Sequence, residues 1–177
     1  AKVEAVYRFV EQNIDYLGIE FGIGAYQPRN SDTTLNQGKG DCKDMTALMV
    51  ALLSAMNIKA YPALVRPKDQ GVFVTDHPSP GQFSHVLLFV PGEGRDLWLD
   101  ATSGMSTLSA VPSALRGRNA FVIDGAGGRM KMIPAGDPSR SGLYERRTVD
   151  LNATGGGVMH SRLAFSGDLA GLSRQNL

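Results

Sequence analysis

Apolar and polar side chains alternate at the spacing of an α-helix in the first stretch of the chain. The apolar positions recur every three or four residues, and polar side chains occupy the other faces. This pattern predicts an amphipathic helix over residues 2–14. The apolar positions are Val3, Val6, Val10 and Ile14. Alternating Leu17, Ile19 and Phe21 then indicate a short extended segment.

The next stretch, residues 22–40, is rich in Gly, Pro, Asn, Ser and Thr and has no helical or strand periodicity. We therefore predict a long irregular connection, and connections of this length are uncommon unless they carry a function.

A second helix is predicted to begin at Cys42. Asp41 is a favourable N-cap residue, and Asp44 places a negative charge in the first turn, where it complements the helix dipole. The segment from Ala47 to Leu53 is apolar on nearly every side, which predicts burial in the core. Asn57 is expected to end the helix.

Three apolar stretches after this helix predict strands. They are residues 60–65, 85–90 and 97–100. A loop rich in Pro and Gly separates the first two, and the Pro-Gly-Glu-Gly sequence at 91–94 predicts a hairpin between the second and third. A further hairpin is predicted at residues 120–133, turning at the glycines of 125–128.

Glycine is distributed unevenly along the chain, since ten of the 21 glycines follow Asp124. This shift predicts a domain boundary, with a core domain at residues 1–138 and the beginning of a truncated, β-rich C-terminal domain at 139–177. Residues 146–151 and 158–165 are expected to pair as strands there. The chain starts at Ala1 rather than methionine, so we expect it to be flanked by other domains in a longer protein.

Composition narrows the classes of function. The 18 basic and 17 acidic side chains give a net charge of +1, and this weak basic excess argues against nucleic acid as a partner. The longest apolar run, Ala47–Leu53, is far shorter than the about 18 residues of a membrane span. A single cysteine excludes an internal disulfide and a cysteine-based metal cluster. The compartment stays open, with the bacterial periplasm or cell envelope among the compatible locations.

The single cysteine, Cys42, is the candidate nucleophile. At the start of a helix, the dipole and the unpaired backbone N–H groups favour a thiolate over a thiol. The preceding glycines, Gly38 and Gly40, are expected to let a substrate backbone approach closely. The alternative is that Cys42 is a small buried apolar residue, as free cysteines often are.

A nucleophilic cysteine needs a base, and the chain contains three histidines. His85 opens a predicted strand and Asp100 ends the strand expected to pair with it, so a carboxylate could lie beside the imidazole. His77 and His160 are interpreted as surface histidines. A metal site of Cys42, His77 and His85 with Asp76 or Asp100 is disfavoured, because no pair of these residues has the usual ligand spacing. No metal or cofactor is therefore predicted, and no acidic loop suggests calcium.

Three segments together resemble the transglutaminase-like superfamily, and specifically its bacterial core domains. Gly40-Asp41-Cys42-Lys43-Asp44 is similar to the active-site helix of that family. Phe83-Ser84-His85-Val86 is similar to its histidine strand, and Trp98-Leu99-Asp100-Ala101-Thr102 to its aspartate strand. The order Cys, His, Asp is the family's order, and the resemblance extends over about residues 1–135, including Ile19-Glu20-Phe21-Gly22 in the approach segment.

The resemblance implies a papain-like α+β fold, in which the nucleophile helix packs on an antiparallel sheet. It implies that Cys42 is the nucleophile, His85 the general base and acid, and Asp100 the residue that orients the imidazole. The family's oxyanion donor lies upstream of the cysteine, and Gln27 is the candidate here, with Tyr26 and Gln37 as rivals.

The implied reaction is cysteine-dependent acyl transfer on protein or peptide amides through a thioester, with hydrolysis by a protease or deamidase slightly favoured over crosslinking. Related bacterial proteins include proteases, which is the reason for that preference. The alternative is a catalytically silent transglutaminase-like module that binds peptides or supports assembly.

Overall fold

The computed structural model describes residues 1–18, 22–74, 76, 79–103, 111–137, 139 and 141–167. The chain divides into two compact units, Ala1–Gly136 and Asp137–Leu177. That residues 139–177 are the beginning of a further, truncated domain stays a prediction. None of the described helices is long and apolar enough to cross a membrane.

Three α-helices lie in the described part of the first unit: α1 at Lys2–Asn13, α2 at Ser31–Gln37 and α3 at Cys42–Ala55. The prediction of an irregular connection over residues 22–40 is wrong, because this stretch holds α2 and a 3-10 turn at Gly22–Ala25. Helix α2 is short and polar, so its ends define it rather than an apolar stripe. The Asn30 side chain accepts a hydrogen bond from the Asp32 N–H at its start, and Gly38 ends it with a φ of 63°.

Helix α3 is buried on one side and exposed on the other. Met45, Leu48, Met49 and Leu53 lie within the core, while Ala51, Ser54 and Ala55 are exposed. The predicted burial of residues 47–53 is therefore confirmed for Leu48, Met49 and Leu53, whereas Ala51 in the same segment is exposed. Alanine counts as apolar in the sequence but exposes little apolar area, so it is tolerated on an outer face.

The main sheet has five antiparallel strands. They are β3 at Tyr61–Val65, β4 at His85–Val90, β5 at Leu97–Leu99, β6 at Asn119–Val122 and β7 at Arg129–Met132, in the order β5-β4-β3-β6-β7. A separate parallel pair joins β1 at Asp15–Tyr16 to β2 at Lys39–Gly40. All three predicted strands and both predicted hairpins are confirmed, with ends within one or two residues. The predicted α+β class is confirmed as well.

The two faces of the sheet cover separate parts of the core. On β4, Leu88 and Val90 pack with apolar residues of α1 and α3. Leu87 and Phe89 pack in the opposite cluster with Trp98 and residues of β6. Strand β4 is thus buried on both faces, which explains why its sequence is continuously apolar instead of alternating. Strand β4 also contacts the first part of α3, where the Thr46 hydroxyl donates to the Val86 carbonyl at 3.5 Å.

The described residues of the second unit form an antiparallel hairpin, β8 at Gly142–Leu151 and β9 at Gly157–Ser166. The predicted pairing of these two segments is confirmed. The side chains along β9 are exposed throughout, and those along β8 nearly so.

Candidate active site

A closed set of hydrogen bonds shapes the start of α3. The Asp41 carboxylate accepts from the N–H groups of Lys43 at 2.9 Å and Asp44 at 3.1 Å, while the Asp44 carboxylate accepts from the Asp41 N–H at 3.2 Å. The Met45 N–H donates to the Asp41 carbonyl. The predicted N-cap is therefore confirmed as one half of a capping box. Within the described part of the chain, the Cys42 N–H is left without an acceptor, which makes it a free donor in the first turn.

Gly40 is required by packing within the chain itself. It is buried, and a Cβ atom at this position would lie 2.7 Å from the Asp44 Cβ and 3.1 Å from the Thr34 Cγ2. This contact is a sufficient structural reason for glycine here, and the expectation that Gly40 serves the approach of a substrate backbone stays a prediction. Gly38 has a different local reason, because its left-handed φ of 63° ends α2.

The His85 and Asp100 side chains meet across the β4–β5 hairpin. Strand pairing puts Leu88 opposite Leu99, so continuing the register by one residue puts Asp100 opposite Leu87. His85 is then the diagonal neighbour of Asp100 on the same face, a position that long side chains can bridge. The His85 Nε2 lies 2.9 Å from the Asp100 Oδ2.

Asp100 is buried and fully engaged. Its Oδ1 accepts from the Thr102 hydroxyl at 2.6 Å and from the Thr102 N–H at 3.0 Å, while its Oδ2 faces His85. Burial is the largest influence on the pKa of Asp100 and raises it, but the bonds and charge of His85 and the bonds of Thr102 lower the pKa below its ordinary value. The sequence analysis included Thr102 in the aspartate-strand motif but gave it no role, although an Asp followed two residues later by Thr is a local signal for this turn.

His85 also interacts with the start of α3, because Cys42 contributes to the raised pKa of its ring. With Nε2 engaged by Asp100, Nδ1 is the ring nitrogen left for the sulfur. Burial is the largest influence on the pKa of His85 and lowers it. Hydrogen bonds and electrostatic attraction to Asp100 and Cys42 outweigh burial and raise the pKa from 6.5 to about 10. The ring is therefore an imidazolium at neutral pH.

Replacing Thr102 with valine tests how much of this arrangement depends on the hydroxyl. Valine keeps the shape and the backbone N–H but removes the shorter of the two bonds to Asp100 Oδ1. Because bonds to charged groups contribute about 1.5–3 kcal/mol, we expect the free energy of unfolding to fall by about 2 kcal/mol in urea denaturation at pH 7. Thr102→Ser, which retains the hydroxyl, is the control and should lose less.

Other residues considered from the sequence lie elsewhere. Gln27 is exposed, and its role as oxyanion donor stays a prediction. Tyr26 is 72% exposed, and the Gln37 side chain accepts a hydrogen bond from Arg29. His160 lies on β9, 3.8 Å from Asp150, with its side chain 70% exposed. His77 lies outside the described residues.

Arg29 is the largest omission of the sequence analysis. Its Nε donates to the Asp44 Oδ2 at 2.8 Å, and its backbone N–H donates to the Asp44 Oδ1 at 2.7 Å. Its Nη1 donates to the Gln37 Oε1 at 2.8 Å and its Nη2 to the Lys39 carbonyl at 2.7 Å. A first-turn aspartate in an apolar helix was a signal that a cation should lie nearby, but the sequence alone did not say which one.

The described part of the chain contains no set of side chains suited to bind a metal ion. Nowhere among those residues do three or more His, Cys, Asp or Glu side chains come together in a way that could hold a metal ion.

Comparisons with known proteins add a family. A model described as the transglutaminase-like superfamily matches residues 1–89, whereas the curated proteins give no match. Among solved structures, a putative protease from Parabacteroides distasonis is 19% identical with a TM-score of 0.58, over 76% of this chain and 24% of its own. A putative cysteine protease from Cytophaga hutchinsonii is also 19% identical, with a TM-score of 0.43, over 92% of this chain and 44% of its own.

The chain thus spans about a quarter of the first structure and less than half of the second. At this identity the first likeness shows a shared fold. The family model covers half of the 177 residues and includes both Cys42 and His85. The chain therefore belongs to the transglutaminase-like superfamily.

Proposed function

We propose that this chain carries out cysteine-dependent acyl transfer on protein or peptide amides through a thioester, with hydrolysis favoured over crosslinking. Membership of the superfamily supports a cysteine-dependent enzyme in general. The observation that carries the specific proposal is the position of His85, whose Nε2 lies 2.9 Å from the Asp100 Oδ2 and whose raised pKa is due in part to Cys42.

The first step is attack by sulfur. The Cys42 thiolate, paired with the His85 imidazolium, adds to the carbonyl carbon of the amide, and the carbonyl oxygen takes up the negative charge. The free N–H of Cys42 is available to donate to this oxyanion. Gln27 is proposed as a second donor. Arg29, two residues after it, is hydrogen-bonded to Asp44 in the first turn of α3.

The second step expels the amine. The His85 imidazolium gives its proton to the leaving nitrogen, the C–N bond breaks, and a thioester forms between Cys42 and the acyl group. The neutral imidazole can then act as a base. It removes a proton from water, hydroxide adds to the thioester, and the acid is released as the thiolate–imidazolium pair re-forms. Asp100 keeps the ring oriented and stabilises its charge throughout.

Hydrolysis is favoured on grounds of access. The His85 side chain keeps 16% of its surface exposed, so the ring is partly open to water. Crosslinking needs in addition a bound amine held against the acyl group.

One observation favours the alternative of a silent binding module, namely that Cys42 is only 4% exposed. A sulfur this buried could be inaccessible to a substrate carbonyl. The alternative makes an opposite forecast for chemical labelling, because a closed site should protect Cys42 even from a small alkylating reagent.

The reaction is tested by incubating the protein with glutamine-containing peptides, with and without a primary amine, and following peptide mass. We expect cleaved or deamidated peptide in both samples, and no product in either with Cys42→Ala. Peptide carrying the added amine as the main product would overturn the preference for hydrolysis. If the wild type and Cys42→Ala give the same products, acyl transfer by this cysteine is ruled out for these substrates.

A further inference from the structure

We propose that Arg29 is a positioning residue, which holds the first turn of α3 and the upstream segment in the arrangement that the reaction needs. This inference rests on the proposed function, because it explains how Cys42 is held toward His85. Arg29 itself is assigned no contact with the substrate.

Arg29 grips Asp44 from two directions. Its side chain approaches the Asp44 Oδ2 with Nε and Nη2, each at 2.8 Å, and its own backbone N–H meets the Asp44 Oδ1 at 2.7 Å. The Nε–H and the backbone N–H of Arg29 together bind both oxygens of the carboxylate, which restricts its orientation more than a point charge could. The backbone bond means that residue 29 is fixed as well, not only its side chain.

Asp44 passes this restraint to the residue before the cysteine. Its Oδ2, which is held by Arg29, also accepts the Asp41 N–H at 3.2 Å. Asp41 in turn caps the N–H groups of Lys43 and Asp44 and lies 2.5 Å from the Lys43 Nζ. Cys42 lies between these engaged residues, so a shift of Asp44 would move the backbone on both sides of the sulfur.

The same guanidinium joins three pieces of backbone. Besides Asp44 on α3 it contacts the Gln37 side chain at the end of α2 and the Lys39 carbonyl in β2. Strand β2 ends one residue before the N-cap of α3. Buried Gly40 fits between Asp44 and Arg29, since an added Cβ would lie 3.3 Å from the Arg29 Nη2. The fixed backbone of residue 29 also lies two residues after Gln27, the proposed oxyanion donor.

The chemistry of the pair suits this role. Asp44 has only 2% of its side chain exposed, against 28% for Arg29. Burial is the largest influence on the pKa of Asp44 and raises it, but the Arg29 bonds and the Asp41 N–H lower the pKa below its ordinary value. The carboxylate therefore stays ionised near neutral pH, and its bonds to Arg29 persist there. Lysine could keep the charge but could not supply Nε, Nη1 and Nη2 to three acceptors at once.

The test uses iodoacetamide alkylation of Cys42 across pH 5–9 in the wild type, Arg29→Gln and Arg29→Lys. We expect both variants to react about tenfold more slowly at pH 6.5, with the pH profile displaced toward that of an ordinary cysteine. Arg29→Lys should not rescue the profile. Asp96→Asn is the matched control, because it breaks the Asp96–Lys131 ion pair and should lower stability without displacing the profile.

The outcomes separate positioning from simple stabilisation. If Arg29→Lys lowers the melting temperature as Asp96→Asn does, while its alkylation profile coincides with the wild type, the positioning role is wrong. If the wild type itself reacts like an ordinary thiol, the proposed function fails and this inference fails with it. Should Arg29→Gln not fold, Arg29→Lys, which retains the charge, carries the comparison alone.

Discussion

Replacing His85 with alanine is expected to slow the alkylation of Cys42 by iodoacetamide at pH 6.5 by about tenfold or more. An ordinary cysteine thiol is only about 1% ionised at that pH, whereas the imidazolium of His85, whose pKa is raised to about 10, stabilises a thiolate beside it. A paired thiolate is a weaker nucleophile than a free one, which limits the size of the expected effect. Amide hydrolysis should fall further, by about 10²–10⁴-fold, since the leaving amine also loses its proton donor.

The matched control is His160→Ala, because His160 is exposed on the hairpin of the second unit. It should leave both the alkylation rate and hydrolysis unchanged. The measurement is the mass of the intact protein over time at several pH values. Equal rates for the wild type and His85→Ala would mean that Cys42 is not activated by this histidine. Protection of Cys42 in both proteins, reversed only by denaturant, would favour the closed binding module instead.

The accuracy of the sequence predictions followed how local each signal was. The start of α3 was predicted to the residue because Asp41 and Asp44 cap it from within four positions. Strand β4 was predicted in full, and the Pro-Gly-Glu-Gly turn after it already implied its pairing with β5. From that pairing the approach of His85 to Asp100 could be expected, since the register of a hairpin fixes which side chains share a face.

The features that the sequence did not reveal depend on contacts in the folded structure. Helix α2 was missed because a polar segment held by its caps and its contacts has no apolar periodicity to detect. Arg29 was missed because its partner Asp44 lies 15 positions away, and only the folded path of β2 and α2 brings them together. The packing reason for Gly40 was not foreseen, since a glycine needed by tight packing and one needed by a ligand look the same in a sequence. Thr102 could have been found from its spacing to Asp100.

The ionic pairing in the site also makes stability depend on pH in a definite direction. The pKa of His85 is raised in the folded protein, so its contribution to stability is fully present below about 6.5 and is lost as pH rises toward about 10. The pKa of Asp100 is lowered, so its contribution is present above the ordinary value of 3.8 and is lost as pH falls below it. Between about pH 3.8 and 6.5 both contributions to stability are present, because both partners are charged in the folded protein.

Asp100→Asn removes one charge of this pair while keeping the size of the side chain and an oxygen that Thr102 can bond. We expect the variant to lose about 2 kcal/mol of stability near pH 6, as typical for bonds to charged groups, and hydrolysis to fall by about 10²–10⁴-fold because the ring loses its orienting carboxylate. The loss of stability should shrink as pH rises from 6.5 toward 10, since the unfolded chain gives up this proton near 6.5 while folded wild-type His85 keeps it until about 10. Urea denaturation of both proteins at intervals of one pH unit measures this difference, and the ring resonances of His85 in NMR should titrate at lower pH in the variant.

Asp96→Asn provides the comparison, because Asp96 pairs with a lysine and the loss of this pair should lower the free energy of unfolding equally at pH 6 and pH 8. A difference for Asp100→Asn that stays constant from pH 6 to pH 9, with an unshifted His85 titration, would mean that the carboxylate does not hold the proton on His85.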